Sequence, residues 1–208
     1  FSVYLFFAAI LLGVSRGDRS ALEKGVNAEN RVTSALTQAL PDEYILINHV
    51  SLPNEKSATG RREIDLIVIG HHRVFTIEIK GTSASIKRAD CQAAQWIVSD
   101  AAGDRKIRNP VRQAWGQKRT VETALASKGI DRIAVEPIVV FTDNPPGADQ
   151  LKESHVPVFG TLKALVRYIN SKDEGKKTLA QDRIAQMLID MADPRDSLMQ
   201  SMLRQWFD

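Results

Sequence analysis

The sequence predicts an α/β fold, on three observations. The chain has 208 residues, of which 43% are hydrophobic and 25% charged, which suits one globular domain with an appendage. Apolar runs of strand length alternate with segments of helical periodicity from about residue 20 to residue 170. Their order is helix, three strands, helix, two strands and helix, which is typical of a sheet flanked by helices.

The first half of this domain begins with a helix. The segment "SALEKGVNAENRVTSALTQAL" has apolar residues near helical spacing, and Pro41 ends it. A strand, "EYILINHVSL", follows, and "PNEKSATGRR" is typical of an exposed loop. The next two apolar runs, "REIDLIVIG" and "VFTIEIKG", meet across a short polar turn at His71 and His72, so they are predicted to form a hairpin.

The second half is predicted to be less regular at its start. There, "SASIKRA" and "QWIVSD" are candidate short strands. Asn109 is a favourable N-cap, Pro110 suits the first helical position and Gly129 suits the end of the same helix. The strands "RIAVEPIVVFTD" and "VPVFG" and the helix "TLKALVRYI" complete the predicted domain.

Residues 171–208 are predicted to form a helical extension beyond a core domain of residues 18–170. The stretch "NSKDEGKK" resembles a linker in composition, and two amphipathic helices follow it. Their apolar stripes comprise Leu179, Ile184, Met187, Leu188 and Met191, and then Leu198, Met202, Leu203, Trp206 and Phe207. Either the stripes pack on the core, or they contact a second copy or another protein, which we favour. We therefore expect the core to fold without the extension.

Residues 1–17 differ in composition from the rest of the chain. Phe1 to Val14 carry no charge, and Arg16 and Arg19 follow them. A bilayer span needs roughly 20 apolar residues, so three interpretations fit: the end of a membrane span, the core of a signal peptide, or a buried helix. We favour a membrane anchor. The arginines that follow it then favour a cytoplasmic location for the domain, on the inner face of the membrane.

Charge and cysteine content exclude some classes of protein. The formal net charge is +3 and the pI is about 9.0, which is compatible with a nucleic-acid partner and insufficient to establish one. Because Cys91 is the only cysteine, an internal disulfide framework is excluded and a reducing compartment is expected. The four histidines do not combine with Cys91 in a zinc-ligand spacing, so no structural zinc site is predicted.

Three charged residues interrupt the apolar runs of the predicted hairpin. A two-residue turn at His71 and His72 places Asp65 directly opposite Glu78. Lys80 lies on the same face of the sheet, because side chains alternate along a strand with period two. The opposite face carries an apolar set that is predicted to pack in the core: Leu66, Val68, Phe75, Ile77 and Ile79.

Two opposed carboxylates repel each other unless a positive group joins them. A divalent cation such as Mg²⁺ or Mn²⁺ is a suitable partner, and the carbonyl of Ile79 offers a further oxygen ligand. Lys80 is suited to orienting a water or stabilising negative charge on a phosphate. Metal-assisted phosphodiester hydrolysis requires such a set of groups. The alternative is a solvated surface ion pair between Lys80 and Glu78 with no catalytic role.

The order of these motifs resembles that of a known family. Asp65 followed by "EIK" resembles the PD-(D/E)xK nuclease superfamily. More specifically, "AENRVTSALTQAL", "REIDLIVIG", "VFTIEIKG", and Trp96 followed by "NPVRQ" resemble the NERD family, the nuclease-related domain. Ala28, Leu66 and Gly81 depart from that family's usual residues without removing a charged group. The resemblance implies a restriction-endonuclease-like core with a central mixed sheet flanked by helices.

The resemblance also implies a role for each matching residue. Asp65 and Glu78 would bind Mg²⁺ or Mn²⁺ with the help of the Ile79 carbonyl, and Lys80 would position the attacking water or stabilise the transition state. Glu29 would face the site from the first helix as a second ligand through water, and Gln113 would line the same cleft from the "NPVRQ" helix. From the residues alone, Glu29 is equally well interpreted as an exposed helix residue, and Gln113 as a partner of backbone groups.

Basic and aromatic residues lie near these motifs in the sequence. A basic cluster suited to a phosphate backbone comprises Arg105, Lys106, Arg108, Arg112, Lys118 and Arg119. A solvated face is the alternative interpretation of this cluster. Trp96 and Trp115 are expected to be core residues or cleft walls rather than platforms for stacked bases.

Three functions therefore compete at this point. The first is a metal-dependent nuclease that acts on DNA and is tethered to the inner face of a membrane. The second is a nuclease-fold module without turnover that binds nucleic acid or a protein, and the retained charged residues argue against it. The third is a membrane-associated assembly protein, supported by the amphipathic C-terminal segments.

Overall fold

The computed structural model describes residues 16–151, 154–175 and 177–192, and in this part of the chain it has an α/β fold. Four α-helices and eight strands occur there. The helices are α1 (Arg16–Ala39), α2 (Pro110–Ala126), α3 (Leu162–Lys172) and α4 (Gln181–Met191). The strands are β1 (Ile45–Pro53), β2 (Arg61–Ile69), β3 (Arg73–Lys80), β4 (Ser85–Arg88), β5 (Gln95–Asp100), β6 (Gly103–Arg108), β7 (Ala134–Phe141) and β8 (Val158–Phe159). The predicted fold class is confirmed.

The central sheet is mixed. Its strand order is β1-β2-β3-β7-β8, with antiparallel pairs at β1–β2 and β2–β3 and parallel pairs at β3–β7 and β7–β8. Helix α2 connects the small sheet to β7, which returns parallel to β3 in the centre of the sheet. A parallel neighbour needs such a long crossover connection.

The hairpin of β2 and β3 has the predicted register. Across its turn, the backbone N–H of Gly70 donates to the carbonyl of Arg73 at 2.9 Å. The paired residues include Leu66 with Ile77 and Val68 with Phe75. This register is the one that a two-residue turn at His71 and His72 requires, because it fixes which residues face each other.

Helices cover both faces of the central sheet. One face carries the apolar set predicted for the core, and it packs against Val32 and Leu36 of α1 and Leu165 and Ile169 of α3. The other face packs against α2 and α4. The charged residues of the hairpin therefore lie on the α2 side, where the sheet is also covered by protein.

A smaller sheet with the order β4-β5-β6 follows the hairpin. Strand β6 is not predicted from the sequence, because "GDRKIR" is almost entirely polar and exposed and has no apolar alternation. It forms by pairing with β5 after a turn that ends at Gly103, whose φ is +107°. Trp96 of β5 is fully buried and stacks on Phe141 with ring centroids 6.2 Å apart, so it is a core residue as expected.

The start of the C-terminal extension is bound to the core. The carboxylate of Asp173, directly after α3, accepts hydrogen bonds from the backbone N–H groups of His72 and Arg73 at 2.8 and 3.0 Å. It also accepts one from the hydroxyl of Tyr44 at 2.6 Å. Asp173 is 3% exposed, so the linker-like composition of this segment does not correspond to a solvated linker.

Helix α4 packs on the same domain. Its residues Ile184 and Leu188 are buried against the α2 side of the sheet, and Gln181 donates to the carbonyls of Glu43 and Ile69. The first predicted apolar stripe therefore contacts the core, contrary to the partner contact that we favoured for it. The core is then not expected to fold without residues 171–192. The second stripe, beyond residue 192, lies outside the described residues, and its contact with a partner stays a prediction.

The predicted membrane anchor cannot be compared with the structure, since Phe1 to Val14 lie outside the described residues. In the described part of the chain, which begins at Arg16, none of the helices has both the length and the apolar character needed to span a bilayer.

Candidate active site

The pairing of strands β2 and β3 places the side chain of Asp65 next to the backbone N–H of Ile79. The backbone pairing of β2 and β3 extends to Leu66 and Ile77, and beyond this pair the Asp65 side chain accepts a hydrogen bond from the Ile79 N–H. The distance from nitrogen to Oδ2 is 2.7 Å. This bond fixes the Asp65 carboxylate beside Glu78 and Lys80.

Glu78 is a buried carboxylate with a partner on each oxygen. Its Oε1 lies 2.5 Å from Nζ of Lys80, and its Oε2 accepts a hydrogen bond from Nε2 of Gln117 at 2.6 Å. The side chain is only 2% exposed, whereas that of Lys80 is 26% exposed. A surface ion pair was the alternative interpretation of these two residues, and burial of the carboxylate excludes it.

Burial and nearby negative charge raise the proton affinity of both carboxylates. Burial is the main reason that the pKa of Asp65 rises to about 8, and the charge of Glu78 adds to it. Burial also raises the pKa of Glu78, although Lys80 acts in the opposite direction. Two negative charges in a buried site are unfavourable together, so the pair favours a proton or a cation.

Glu29 lies close enough to Asp65 and Glu78 to influence their pKa values. Its negative charge contributes to the raised pKa of both Asp65 and Glu78. Its Oε2 lies 2.7 Å from Nε2 of His49, and its side chain is 20% exposed. The structure therefore brings Glu29 to the site, where the resemblance places it, and pairs it with a histidine.

His49 was assigned no role from the sequence. It has a φ of 51°, the only positive φ of a residue other than glycine in the described part of the chain. Its ion pair with Glu29 at 2.7 Å, followed by the approach of Glu63 at 4.0 Å, raises its pKa to about 10, although burial acts against this shift. His49 is therefore a cation at neutral pH. No sequence pattern marks it, because its role depends on the distance between β1 and α1.

Helix α2 contributes two glutamines one turn apart. Gln113, the predicted residue, is half-buried, and its Oε1 is buried with no hydrogen-bond partner among the described residues. Gln117 is the residue that bonds Glu78, and it is 2% exposed. Residues four apart lie on one face of a helix, so the position of Gln113 gave a signal for Gln117 that the sequence analysis missed.

A hard cation is compatible with these groups. Asp65 and Glu78 supply carboxylate oxygens, and Oε1 of Gln117, like that of Gln113, is buried without a partner among the described residues. Those residues contain no group of three or more His, Cys, Asp or Glu side chains placed to hold a metal. A site of two carboxylates suits Mg²⁺, which retains several waters, better than a metal that needs a full set of protein ligands.

The predicted basic cluster is divided between two elements. Arg105, Lys106 and Arg108 lie on β6, and Arg112, Lys118 and Arg119 lie on α2. Arg105 approaches Asp100 at 3.5 Å and Lys118 approaches Glu122 at 3.4 Å. The other four form no ion pair with a carboxylate among the described residues. Their contact with nucleic acid stays a prediction.

A family model matches the part of the chain that contains these residues. None of the proteins with curated descriptions matches the chain. The family model described as the nuclease-related domain matches residues 24–142, which include most of α1, the strands β1 to β7 and α2. This match covers Glu29, His49, Asp65, Glu78 and Gln117 together. Since it spans more than half of the 208 residues, the chain belongs to the nuclease-related domain (NERD) family.

Proposed function

We propose that the protein is a nuclease that hydrolyses phosphodiester bonds, with DNA as substrate and Mg²⁺ or Mn²⁺ as cofactor. The buried pair of Asp65 and Glu78, joined to Lys80 and Gln117, carries this proposal. A buried pair of carboxylates with raised pKa values is costly for a domain and is typical of functional sites. Membership of a nuclease-related family agrees with it.

Each residue has a distinct task in this proposal. Asp65 and Glu78, with the Ile79 carbonyl, would hold the ion, and Gln117 keeps the Glu78 carboxylate oriented. The bound ion would supply a Lewis acid for the phosphate. The Lys80 ammonium lies beside Glu78, where it is suited to stabilising the negative charge that develops on the phosphate. Glu29 and His49 adjust the charge of the pocket from the α1 side.

Single substitutions in the full chain test this proposal. Asp65→Asn, Glu78→Gln and Lys80→Met should each reduce cleavage of plasmid and linear DNA by at least about 100-fold, because each removes a charge needed in the transition state. Matched controls are Asp104→Asn and Lys87→Met, which break a surface ion pair on the small sheet and should cleave like wild type. Cleavage at the wild-type rate by two of the three site variants, folded by circular dichroism, would contradict the proposal.

A second candidate is a binding module that has lost turnover. One observation favours it: both oxygens of Glu78 already have partners at 2.5 and 2.6 Å, so the carboxylate is satisfied without an ion. Binding of single-stranded and duplex DNA without cleavage in Mg²⁺ or Mn²⁺, by anisotropy and gel analysis of one preparation, would favour this candidate. EDTA-sensitive cleavage would exclude it.

We also propose that residues 1–17 tether the domain to the inner face of a membrane. The support is the uncharged run from Phe1 to Val14 and the basic residues after it. In a cell that expresses the full chain, the protein should sediment with membranes and resist extraction by high salt and carbonate. A chain with Leu5 and Leu11 both changed to Asp should move to the soluble fraction. Equal sedimentation of both chains would contradict the tether.

A further inference from the structure

A groove of about 760 Å³ runs along one flank of α2. The groove lies between the end of β1, the start of β2 and the exposed side of α2. Its walls include Arg62, Arg112, Trp115 and Arg119. Gln113 and Gln117, which belong to the candidate active site, are absent from its walls although they lie on the same helix. The groove is therefore a second concave surface beside that site.

Trp115 exposes an aromatic surface to this groove. It is 45% exposed and is the only exposed large hydrophobic residue in the described part of the chain. The apolar residues of α2 that pack in the core, such as Val121 and Leu125, are buried. Nζ of Lys118 lies 5.0 Å from the centroid of the Trp115 ring, so a cation accompanies the exposed indole. The core does not require an indole at this position.

The charge of the groove is mainly positive. Arg62, Arg112 and Arg119 form no ion pair with a carboxylate among the described residues, and Lys56 also lines the groove, whereas Glu55 is its only acidic lining residue. Nε of Arg62 is buried without a hydrogen-bond acceptor in that part of the chain. Uncompensated guanidinium groups in a concave surface attract a polyanion.

The sequence of α2 makes room for one of these guanidinium groups. A Cβ atom at Gly116 would lie 2.6 Å from Nη1 of Arg62, so any larger residue would displace the Arg62 side chain. Arg62 precedes Asp65 by three residues on β2, a distance of about 10 Å along the strand. Glycine at position 116 thus leaves room for the Arg62 guanidinium against α2, next in sequence to the exposed indole of Trp115.

We infer that this groove binds an unpaired stretch of a nucleic-acid strand, with a base stacked on Trp115 and phosphates on Arg62, Arg112 and Arg119. The inference rests on the proposed nuclease function and adds a substrate form to it, namely single-stranded segments or frayed ends. A base can stack on an exposed indole only if one face of the base is accessible. In a duplex, the neighbouring bases cover both faces of each base. Arginines beside an aromatic residue are the usual combination in grooves for single strands.

The test measures binding of a fluorescent 20-nucleotide oligothymidine and a 20-base-pair duplex to the full chain by anisotropy. Measurements are made in EDTA, so that the result does not depend on cleavage. Trp115→Ala should weaken oligothymidine binding roughly 5- to 100-fold, and Trp115→Phe should retain most of it, since the ring remains. The double variant Arg112→Ala/Arg119→Ala should weaken binding and lower its salt dependence by about two charges.

The matched control is Arg132→Ala, which removes an exposed arginine in the loop before β7, outside the groove. It should bind oligothymidine like wild type. Wild-type affinity for oligothymidine in both the Trp115→Ala and the double-arginine variants would overturn the inference. Equal weakening of binding in these two variants and in the Arg132→Ala control would also overturn it. If Trp115→Ala changes only the melting temperature or the oligomeric state, the groove is covered by protein and the inference is wrong. Loss of cleavage in Asp65→Asn with unchanged oligothymidine binding would uphold the nuclease proposal independently of the groove.

Discussion

At the scale of single residues, the site is determined by buried charges rather than by its motif alone. Asp65 and Glu78 carry raised pKa values mainly because they are buried, and Lys80 and Gln117 each bond one oxygen of Glu78. His49 supplies a second cation on the α1 side through Glu29. Three carboxylates, Asp65, Glu78 and Glu29, thus face two cations, Lys80 and His49, which predicts that the stability of the site depends on pH and on added ions.

The raised pKa of Asp65 predicts that the metal-free protein becomes less stable from about pH 4 to pH 8. In this window the unfolded chain has lost the Asp65 proton, whereas the folded protein still holds it, because the folded pKa is about 8 against an ordinary 3.8. Asp65→Asn removes this cost. Its melting temperature in EDTA at pH 8 should therefore exceed that of wild type, and the difference should disappear near pH 4.

The same carboxylates predict a response to metal. Mg²⁺ or Mn²⁺ at millimolar concentration should raise the melting temperature of wild type, since an ion that binds only the folded state stabilises it by mass action. The rise should be larger at pH 8 than at pH 6, because ligands must lose their protons to bind the ion. EDTA should reverse the gain and Glu78→Gln should reduce it. A melting temperature that changes with neither Mg²⁺ nor Mn²⁺ would argue for the binding module without turnover.

The pair of His49 and Glu29 predicts a pH dependence of the opposite sign. The folded pKa of His49 is about 10 and its ordinary value is 6.5, so its contribution to stability is complete below pH 6.5 and is lost as the pH rises towards 10. His49→Asn removes the charge, and asparagine tolerates the positive φ of 51° at this position. The melting temperature of this variant should lie below that of wild type at pH 6 and approach it near pH 10.

Glu29→Gln serves as the partner variant in that experiment. It leaves the histidine in place and removes the carboxylate that holds its proton, so its pH profile should follow that of His49→Asn. A constant difference from wild type at every pH would mean that the histidine contributes through packing alone, and the ion-pair account would fail.

At the scale of secondary-structure elements, the hairpin that carries the site is held at its turn by Asp173. The side chain at the end of α3 accepts from the backbone of the turn, and a Cβ at Gly70 would lie 2.3 Å from its Oδ2. The fixed turn sets the register of β2 and β3, and the register sets which residues face α2. A contact far from the carboxylates therefore determines their position.

Asp173→Ala should lower the free energy of unfolding by about 3 kcal/mol, since three partly buried backbone N–H groups and the buried Tyr44 hydroxyl lose their carboxylate acceptor. Chemical denaturation monitored by circular dichroism measures this loss. The matched control is Asp131→Ala, which changes an exposed acidic residue in the loop before β7, and it should change stability by less than about 0.5 kcal/mol. A similar small effect of Asp173→Ala would show that the turn does not need this carboxylate.

At the scale of the whole molecule, α4 belongs to the core. Ile184 and Leu188 are buried against the α2 side of the sheet, and Gln181 satisfies two backbone carbonyls there. A chain that ends at residue 172 should therefore be unfolded or insoluble, because it loses this apolar burial together with Asp173. A chain that ends at residue 192 should melt within a few degrees of the full chain.

Comparison of the two truncations by thermal melting and light scattering also tests the second apolar stripe. If that stripe contacts a second copy, the chain that ends at residue 192 should stay folded and lose the oligomeric state of the full chain. A folded chain ending at residue 172 would contradict the assignment of α4 to the core.

The sequence by itself determined the hairpin, its register, and the common face of Asp65, Glu78 and Lys80. These features depend on a two-residue turn and a period-two alternation, which act over a few residues and are visible in the order of amino acids. The α/β class could also be predicted from the sequence, because apolar periodicity is a local pattern. Strand β6 was missed because it forms only by pairing with β5.

Only the tertiary structure decided which distant residues complete the site and which segments belong to the core. Gln117 reaches Glu78 across 39 residues of sequence, and Glu29 meets His49 because α1 packs over β1. The polar sequence before α4 suggested a linker, yet Asp173 is buried at the turn of the hairpin. Such contacts depend on how helices pack against the sheet, where burial and charge compensation are decided by neighbours that local sequence patterns do not reveal.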